Sequence, residues 1–284
     1  MLFIYREAEN EFVEVGDVRY AYRKVGQDNG CPLFLLMHTR GNMDSWDPAL
    51  IDDLAKQRLV IAFDNKGIGL TNGTTPEGFE EMADDAAAFI RALGYLKVDV
   101  LGFSIGGAIA QELIIRHNGL VRRAILAGTS GRGGEAVNAL SERSKSVSTK
   151  GILDDDDILY GFFAPSPSSQ ALGRQFLLRL RERLVNRDLP VSMMAVRAQA
   201  VAREKWGNPQ DGYDDLLKTA TIPVLVANGK DDIRMPSINS YHLFRKLPKA
   251  QLILYPDSGH GFLFQYPDLC AANFTHFLDQ NEVV

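Results

Sequence analysis

Residues 98–115, VDVLGFSIGGAIAQELII, read as a buried strand, a tight turn holding a serine, and a helix in immediate succession. Val98, Val100 and Leu101 are β-formers, Gly102-Phe103-Ser104-Ile105-Gly106 fits G-x-S-x-G, and Ile109, Leu113 and Ile114 carry a helical stripe. A glycine two residues to either side of the serine lets the backbone bend sharply and lets strand and helix pack closely, because neither position carries a Cβ. The hydroxyl of Ser104 then stands proud of a sheet, at the N-terminus of a helix whose free N–H groups and dipole favour negative charge. That is an environment for a nucleophile.

Around this stretch the chain alternates strands with helices. Residues 12–15 and 18–23, split by Gly16-Asp17, have the alternating faces of an antiparallel hairpin. The run Pro32 to His38 is apolar throughout, as a strand buried on both faces requires. Asp47-Pro48 starts a helix to about Gln57, with the aspartate at N-cap and the proline at N1. Residues 59–63 form the next strand, followed by the loop Asp64 to Gly69 and by a helix over 78–93 that Gly94 closes. After residues 122–128 the alternation stops. Residues 131–215 contain no apolar β-run; they show helical patterns over 177–184 and 191–206 and proline breaks at Pro165, Pro167 and Pro190. The rhythm resumes at 222–229, with a helix over 237–247, a strand over 250–255 and a last helix over 267–279.

This order predicts an α/β fold: a mostly parallel, doubly wound sheet covered on both faces. Residues 1–132 and 216–284 form its core, and residues 133–215 form an inserted helical cap over the carboxyl edge of the sheet, where such folds bind ligands.

Length and composition fit this. The 284 residues are 45% hydrophobic and 24% charged, ordinary for a globular chain able to bury a large core. A net charge of −5 provides no basic footprint for nucleic acid or anionic membrane. The aspartate run 154–157 reads as a solvated helix start. Cys31 and Cys270 lack C-x-x-C spacing and are expected to be reduced. The apolar opening, residues 1–5, is cut short by Arg6 and Glu7 before a secretory core develops, and no run approaches the roughly 20 apolar residues of a membrane span. A cytoplasmic protein acting on a small molecule is the expectation, with oligomeric state unreadable.

Four marks together carry a resemblance over essentially the whole chain. They are residues 102–107 after one strand, Phe63 to Gly69 after another, Gly229-Lys230-Asp231-Asp232 with Pro236, and Ser258-Gly259-His260-Gly261. The chain resembles an α/β-hydrolase with a helical cap, in a branch similar to haloperoxidases and esterases, and shows that family's chain order of Ser, Asp and His. A serine hydroxyl is a poor nucleophile until a base takes its proton. His260 is the candidate base, on a loop after the last apolar strand with a glycine on each side; His117, His242 and His276 lie on helices and read as surface or packing residues. The base needs a carboxylate to fix its tautomer and stabilise the imidazolium. The resemblance implies Asp232 for that role, with the adjacent Asp231 as the alternative and Asp64 read as an organiser of its own turn.

The oxyanion hole implied by the resemblance uses the backbone N–H of Ile105 and one from the loop after His38. Here the chain departs from the family's usual His-Gly: it reads His38-Thr39-Arg40-Gly41-Asn42, which leaves the second donor between Thr39 and Arg40. Arg40 either recognises an anionic or polar carbonyl group of the substrate or pairs outward with Asp44 or Asp47, and His38 holds the loop. Phe162, Phe163, Met193, Met194 and Trp206 of the cap either line the pocket or pack the cap itself. No metal motif, dinucleotide fingerprint or phosphate loop is present, so no cofactor is expected. The expected activity is hydrolysis of a small, largely apolar ester or lactone through an acyl-enzyme. The same residues resemble those of cofactor-free haloperoxidases and of carbon–carbon bond hydrolases, and a ligand-binding receptor of low turnover remains the reading from another class.

Overall fold

The structure is a computed structural model that describes residues 4–139 and 141–280; Met1 to Phe3 of the apolar opening lie outside them. The hairpin becomes β1 (Glu11–Val15) and β2 (Val18–Val25), joined through Gly16 at φ 61°, a left-handed conformation that suits glycine. The apolar runs and the helices between them follow as β3 (Leu33–Leu36), α1 (Pro48–Ala55), β4 (Val60–Phe63), α2 (Phe79–Ala92), β5 (Val98–Phe103), α3 (Ile105–Arg116) and β6 (Val121–Ala127). Five helices come next: α4 (Glu142–Thr149), α5 (Asp155–Phe162), α6 (Pro167–Leu180), α7 (Met193–Gly207) and α8 (Tyr213–Lys218). The sheet resumes with β7 (Val224–Gly229), α9 (Ile238–Lys246) and β8 (Ala250–Tyr255), and the described chain closes on α10 (Phe262–Gln265) and α11 (Pro267–Asp279).

All eight strands form one sheet in the order β1-β2-β4-β3-β5-β6-β7-β8, antiparallel where β2 meets β1 and β4 and parallel elsewhere. This is the mostly parallel, two-sided sheet expected from the alternation of strands and helices. Along β3 the side chains divide by the pleat: Phe34 and Leu36 enter the core under α2 and α3, while Leu33 and Leu35 enter the core under α1, α10 and α11. Both faces are apolar because both are covered, which is why the central strands are buried at every position.

Several helices differ from the sequence reading, which gave no range for α4, α5, α8 or α10. Of the pattern over 177–184, only residues 177–180 are helical, as the tail of a longer helix that begins at Pro167, where the proline sits in the first turn and Ser166 caps it by accepting from the Ser169 amide; residues 181–184 lie beyond its end. Pro167 therefore starts a helix instead of breaking one, since its missing N–H is one of the unpaired donors of a first turn. The short α10 was not expected. Elsewhere Asp47 caps α1 and Asp154 caps α5 in a reciprocal pair with Asp157. Cys31 and Cys270 are free thiols, and among the described residues no helix is long and apolar enough to cross a membrane.

The helical block between β6 and β7 is tied to the sheet half by apolar packing, with Phe176 stacked on Phe264 and Trp206 set against Phe79, and by polar contacts. Arg179 grips Asp47 with two hydrogen bonds of 2.8 and 2.6 Å and also donates to the Phe264 carbonyl. Arg183 donates to the carbonyls of Arg6 and Ala8. Asp188 of the block meets Asp64 of the sheet, where the Met43 amide donates to Oδ1 of Asp64 at 2.9 Å and to Oδ2 of Asp188 at 3.2 Å. Burial, with Asp188 beside it, holds the Asp64 carboxyl well above the usual carboxylate range, and burial raises Asp188 as well.

A carboxyl that keeps its proton in the fold more tightly than in the unfolded chain contributes stability that is complete below about pH 4 and is lost as pH rises through the folded-state value. The thermal midpoint should therefore fall between pH 5 and 8 more steeply in the native chain than in Asp188→Asn, where the second carboxylate is gone. Scanning calorimetry checks this; parallel profiles would contradict it.

Candidate active site

β5 ends at Phe103 and α3 begins at Ile105, so Ser104 occupies the turn alone, at φ 59° and ψ −119°. A non-glycine residue in that region is strained by about 1–3 kcal/mol and persists only where its surroundings impose it. Here they do. A Cβ on Gly106 would run into the Leu36 carbonyl of β3, and one on Gly102 would run into the Gly106 carbonyl, so helix and strands approach at a distance only glycine permits. The Ser104 amide donates to the Ala127 carbonyl at 2.9 Å, which fixes the elbow to β6. The serine is nearly buried, and the amide of Ile105 lies in the first turn of α3, where no intrahelical acceptor exists.

The loop after β7 presents Asp232 and turns Asp231 outward. The Asp231 amide donates to the Ser258 carbonyl and its residue is exposed, whereas Asp232 is 6% exposed and stands 2.7 Å, Oδ2 to Nδ1, from His260. Oδ1 of Asp232 accepts the amides of Arg234 and Met235 at 2.7 and 2.9 Å, so both oxygens are occupied and the carboxylate cannot swing away. His260 is 3% exposed and lies between the rings of Phe103 and Phe162, with centroids 4.9 and 5.5 Å away. With Nδ1 given to a carboxylate, the tautomer assigned from the hydrogen bonding carries its lone pair on Nε2.

Ser104 and His260 line one cavity of about 120 Å³, together with His38, Thr39, Arg40 and Ile105. The Ser104 hydroxyl makes no hydrogen bond among the described residues. A second cavity of about 250 Å³, with Ile152, Ile158, Phe176 and Val191 in its wall, shares His38, Thr39, Arg40, Leu153 and Phe162 with the first.

His38 holds its loop: Nδ1 lies 2.7 Å from the Thr39 carbonyl, and the ring meets Phe103 and Phe162 edge to face. Burial pulls its pKa down to about 4, so the imidazole is neutral at pH 7. Arg40 has φ 65°, and its amide donates to Oε1 of Gln199 on α7 at 2.9 Å. Its guanidinium donates to the carbonyls of Lys150 and Gly151 at 2.7 and 2.9 Å. The expected outward pairing with Asp44 or Asp47 does not occur, because Asp44 is held by Arg23 and Arg187 and Asp47 by Arg179.

Of the five cap residues named from the sequence, Phe162 lines the cavity and the others do not. Phe163 is buried against Phe176; Met194 is 72% exposed on a groove with Thr74 and Thr75; Met193 is half-buried at the start of α7; Trp206 packs between Phe79 and Tyr213 and donates to the Ser130 carbonyl. The face of α7 turned toward Ser104 carries Gln199 and, one turn on, Arg203. Arg203 and Arg234 line the cavity and were missed. Arg234 had a signal, standing two residues after Asp232. Arg203 had none, since its direction depends on how α7 is rotated. Asp64 organises its turn by accepting from the Leu70 amide, away from His260. His117 and His242 pair with Asp84 and Glu135 on helix surfaces. Among the described residues no group of three or more His, Cys, Asp or Glu side chains could hold a metal ion.

Comparison with known proteins agrees with the architecture. The sequence model of the alpha/beta hydrolase fold matches residues 32–267. A solved alpha/beta hydrolase fold protein from Chitinophaga pinensis is 37% identical and superposes with a TM-score of 0.93 over 98% of this chain and 100% of its own. A Mycobacterium tuberculosis protein that carries the provisional name of a non-heme bromoperoxidase, BpoC, is 28% identical over 85% of this chain and 92% of its own. A proline iminopeptidase, PfmaB, from Pestalotiopsis fici is 26% identical over 95% of this chain and 99% of its own.

The depressed His38 value makes a prediction. Nitrogen NMR should show its ring neutral and protonated on Nδ1 throughout pH 5–8, charging only near pH 4. Titration near the ordinary value of about 6.5 would contradict the burial argument.

Proposed function

This chain belongs to the α/β-hydrolase fold family and is an enzyme of it, and on that premise we propose that it is a serine hydrolase cleaving a small ester or lactone through an acyl-enzyme. The observation that carries this reading is the buried 2.7 Å contact of His260 Nδ1 with Asp232, beside a strained serine elbow that opens into the same cavity.

In this mechanism the substrate carbonyl enters the cavity and Ser104 attacks it. Nε2 of His260 takes the hydroxyl proton, and the Asp232 carboxylate stabilises the imidazolium that forms. The hydroxyl rotates onto Nε2 when substrate fills the cavity; hydrogen bonds of this kind are often open in an empty site. The oxyanion receives the Ile105 amide and a second N–H, either from Thr39 or from Arg40 once the substrate oxygen displaces the Gln199 amide oxygen. The imidazolium returns its proton to the leaving alcohol, and a water activated by the same nitrogen hydrolyses the acyl-serine. Helices α4 to α8 act as the cap, with Phe162 over the imidazole. Perhydrolysis, which the name of the mycobacterial relative brings to mind, and carbon–carbon bond hydrolysis share the acyl-serine; competing water with peroxide, or an ester with a vinylogous diketone, separates them from ester cleavage.

Ser104→Ala should abolish covalent labelling by a serine-directed phosphonate and cut turnover by about 10³-fold or more. Asp232→Asn, which leaves the imidazole in the wrong tautomer, should lower kcat by roughly 10³–10⁴-fold while the fold persists. An ester and lactone panel read by pH-stat checks both, and turnover unchanged in Ser104→Ala would reject the mechanism.

A further inference from the structure

The Ser104 cavity is lined by two cations that have no ion-pair partner among the described residues. Arg203 reaches it from α7 and Arg234 from the loop after Asp232. Neither guanidinium has a hydrogen-bond acceptor or an ion-pair partner among the described residues, and Nε of Arg203 is buried without a partner. Arg234 lies against the backbone of Gly161 in α5, where a Cβ would meet its guanidinium; like Arg203 it is partly buried. The nearby acids are committed elsewhere. Asp232 gives one oxygen to His260 and the other to two amides, Asp157 is ion-paired with Lys150 at 2.6 Å, and Glu204 is exposed. The Tyr160 hydroxyl lies 3.0 Å from that of Ser141. Burial lowers the pKa of both arginines from the usual value, Arg234 lowers that of Arg203 further, and Asp232, Asp157, Tyr160 and Glu204 offset this only in part.

Two like charges drawn partly out of water and left unpaired are costly, and a binding site is where such a cost is tolerated, because the ligand removes it. Arg40 differs from these two, since its guanidinium already donates to the Lys150 and Gly151 carbonyls. The adjoining cavity is more apolar: Ile152, Leu153, Ile158, Phe176 and Val191 stand in its wall, and it shares His38, Thr39, Arg40, Leu153 and Phe162 with the first.

We propose that the substrate is a carboxylate-bearing ester, a monoester of a short dicarboxylic acid, whose free carboxylate is held by Arg203 and Arg234 while its apolar alcohol portion occupies the neighbouring cavity. This rests on the acyl-enzyme reading and names the substrate class for it. The planar, multi-donor guanidinium is suited to a carboxylate, and the small volume of the cationic cavity, below the roughly 300–1,000 Å³ usual for drug-sized ligands, favours a short acyl chain. In the reaction the acyl–oxygen bond of the ester breaks as the bond to Oγ of Ser104 forms, and the alcohol leaves with the serine proton. Water then releases the dicarboxylate and restores that proton to Ser104. The product is a dianion facing two cations, so product inhibition by simple dicarboxylates is expected.

The probes are monobenzyl succinate and its neutral isostere benzyl succinamate, assayed by release of benzyl alcohol and, in Ser104→Ala protein, by calorimetric binding. The native enzyme should favour the acid over the amide by at least about tenfold in kcat/KM. Arg203→Met and Arg234→Met should each reduce that preference by about 10–100-fold, chiefly through KM, and Arg203→Lys should restore part of it. Each Met variant should match or exceed the native thermal midpoint, because an unpaired, partly buried charge has been removed. In the Ser104→Ala background the acid should bind, and either Met change should weaken its binding about tenfold or more. Equal handling of acid and amide by the native enzyme, equal binding of both by Ser104→Ala, or Met variants that lose both substrates alike while melting lower would overturn the anion subsite and leave the serine mechanism standing. Hydrolysis that survives Ser104→Ala would instead overturn the mechanism.

Discussion

The backbone of α3 meets the backbone of β3 at Gly106, with no room for a methyl group between them. That approach forces the chain between Gly102 and Gly106 into a sharp elbow and puts Ser104 at a positive φ, an unfavourable conformation paid for by the apolar layers that clamp the helix onto the sheet. Everything else at the site lies at the same edge because β3, β5, β6 and β7 run parallel, so the loops that follow them all emerge on one side. The loop after β3 brings His38 and Arg40, the one after β7 brings Asp232 and Arg234, and the one after β8 brings His260. Three distant segments meet without any long-range sequence signal being needed.

The helical block is held by apolar packing and by a few local polar contacts. Arg179 on Asp47, Arg40 on the Lys150 and Gly151 carbonyls, and the Asp64–Asp188 pair add charge and geometry to an apolar junction in which Phe176 stacks on Phe264 and Trp206 packs on Phe79. Such a junction specifies orientation while leaving the space beneath it open. It also explains why polar groups crowd around a cavity whose far lobe is apolar: the cap must be positioned, and arginines do this through carbonyls and carboxylates.

How much was legible from the residues follows from this physics. The alternation of strands and helices, the cap at Asp47, the helix start at the aspartate run 154–157 and the serine turn are local patterns, and the structure shows each of them where the spacing puts it. His260 and Asp232 were readable as strand-tip loop residues, and the structure brings those two together while turning Asp231 to solvent. The cap was legible as helical but not as a surface. Which side of α7 faces Ser104 depends on rotation about its axis, at about 100° per residue, and that is set by packing that no short pattern encodes. Met194 was therefore named and is exposed, while Arg203 was not named and faces the cavity. Pro167 misled for a simpler reason, since proline marks a helix start as readily as a break.

The central claim is that Ser104 becomes covalently acylated during turnover, and rapid-quench peptide mass spectrometry tests it most directly. The native enzyme is mixed with excess ester, quenched in acid within milliseconds and digested. The account predicts the acyl mass on Ser104, in the peptide containing the elbow, at a level that decays with the rate of product formation. An acyl group on another residue, or none at any time point while alcohol is being released, would contradict it.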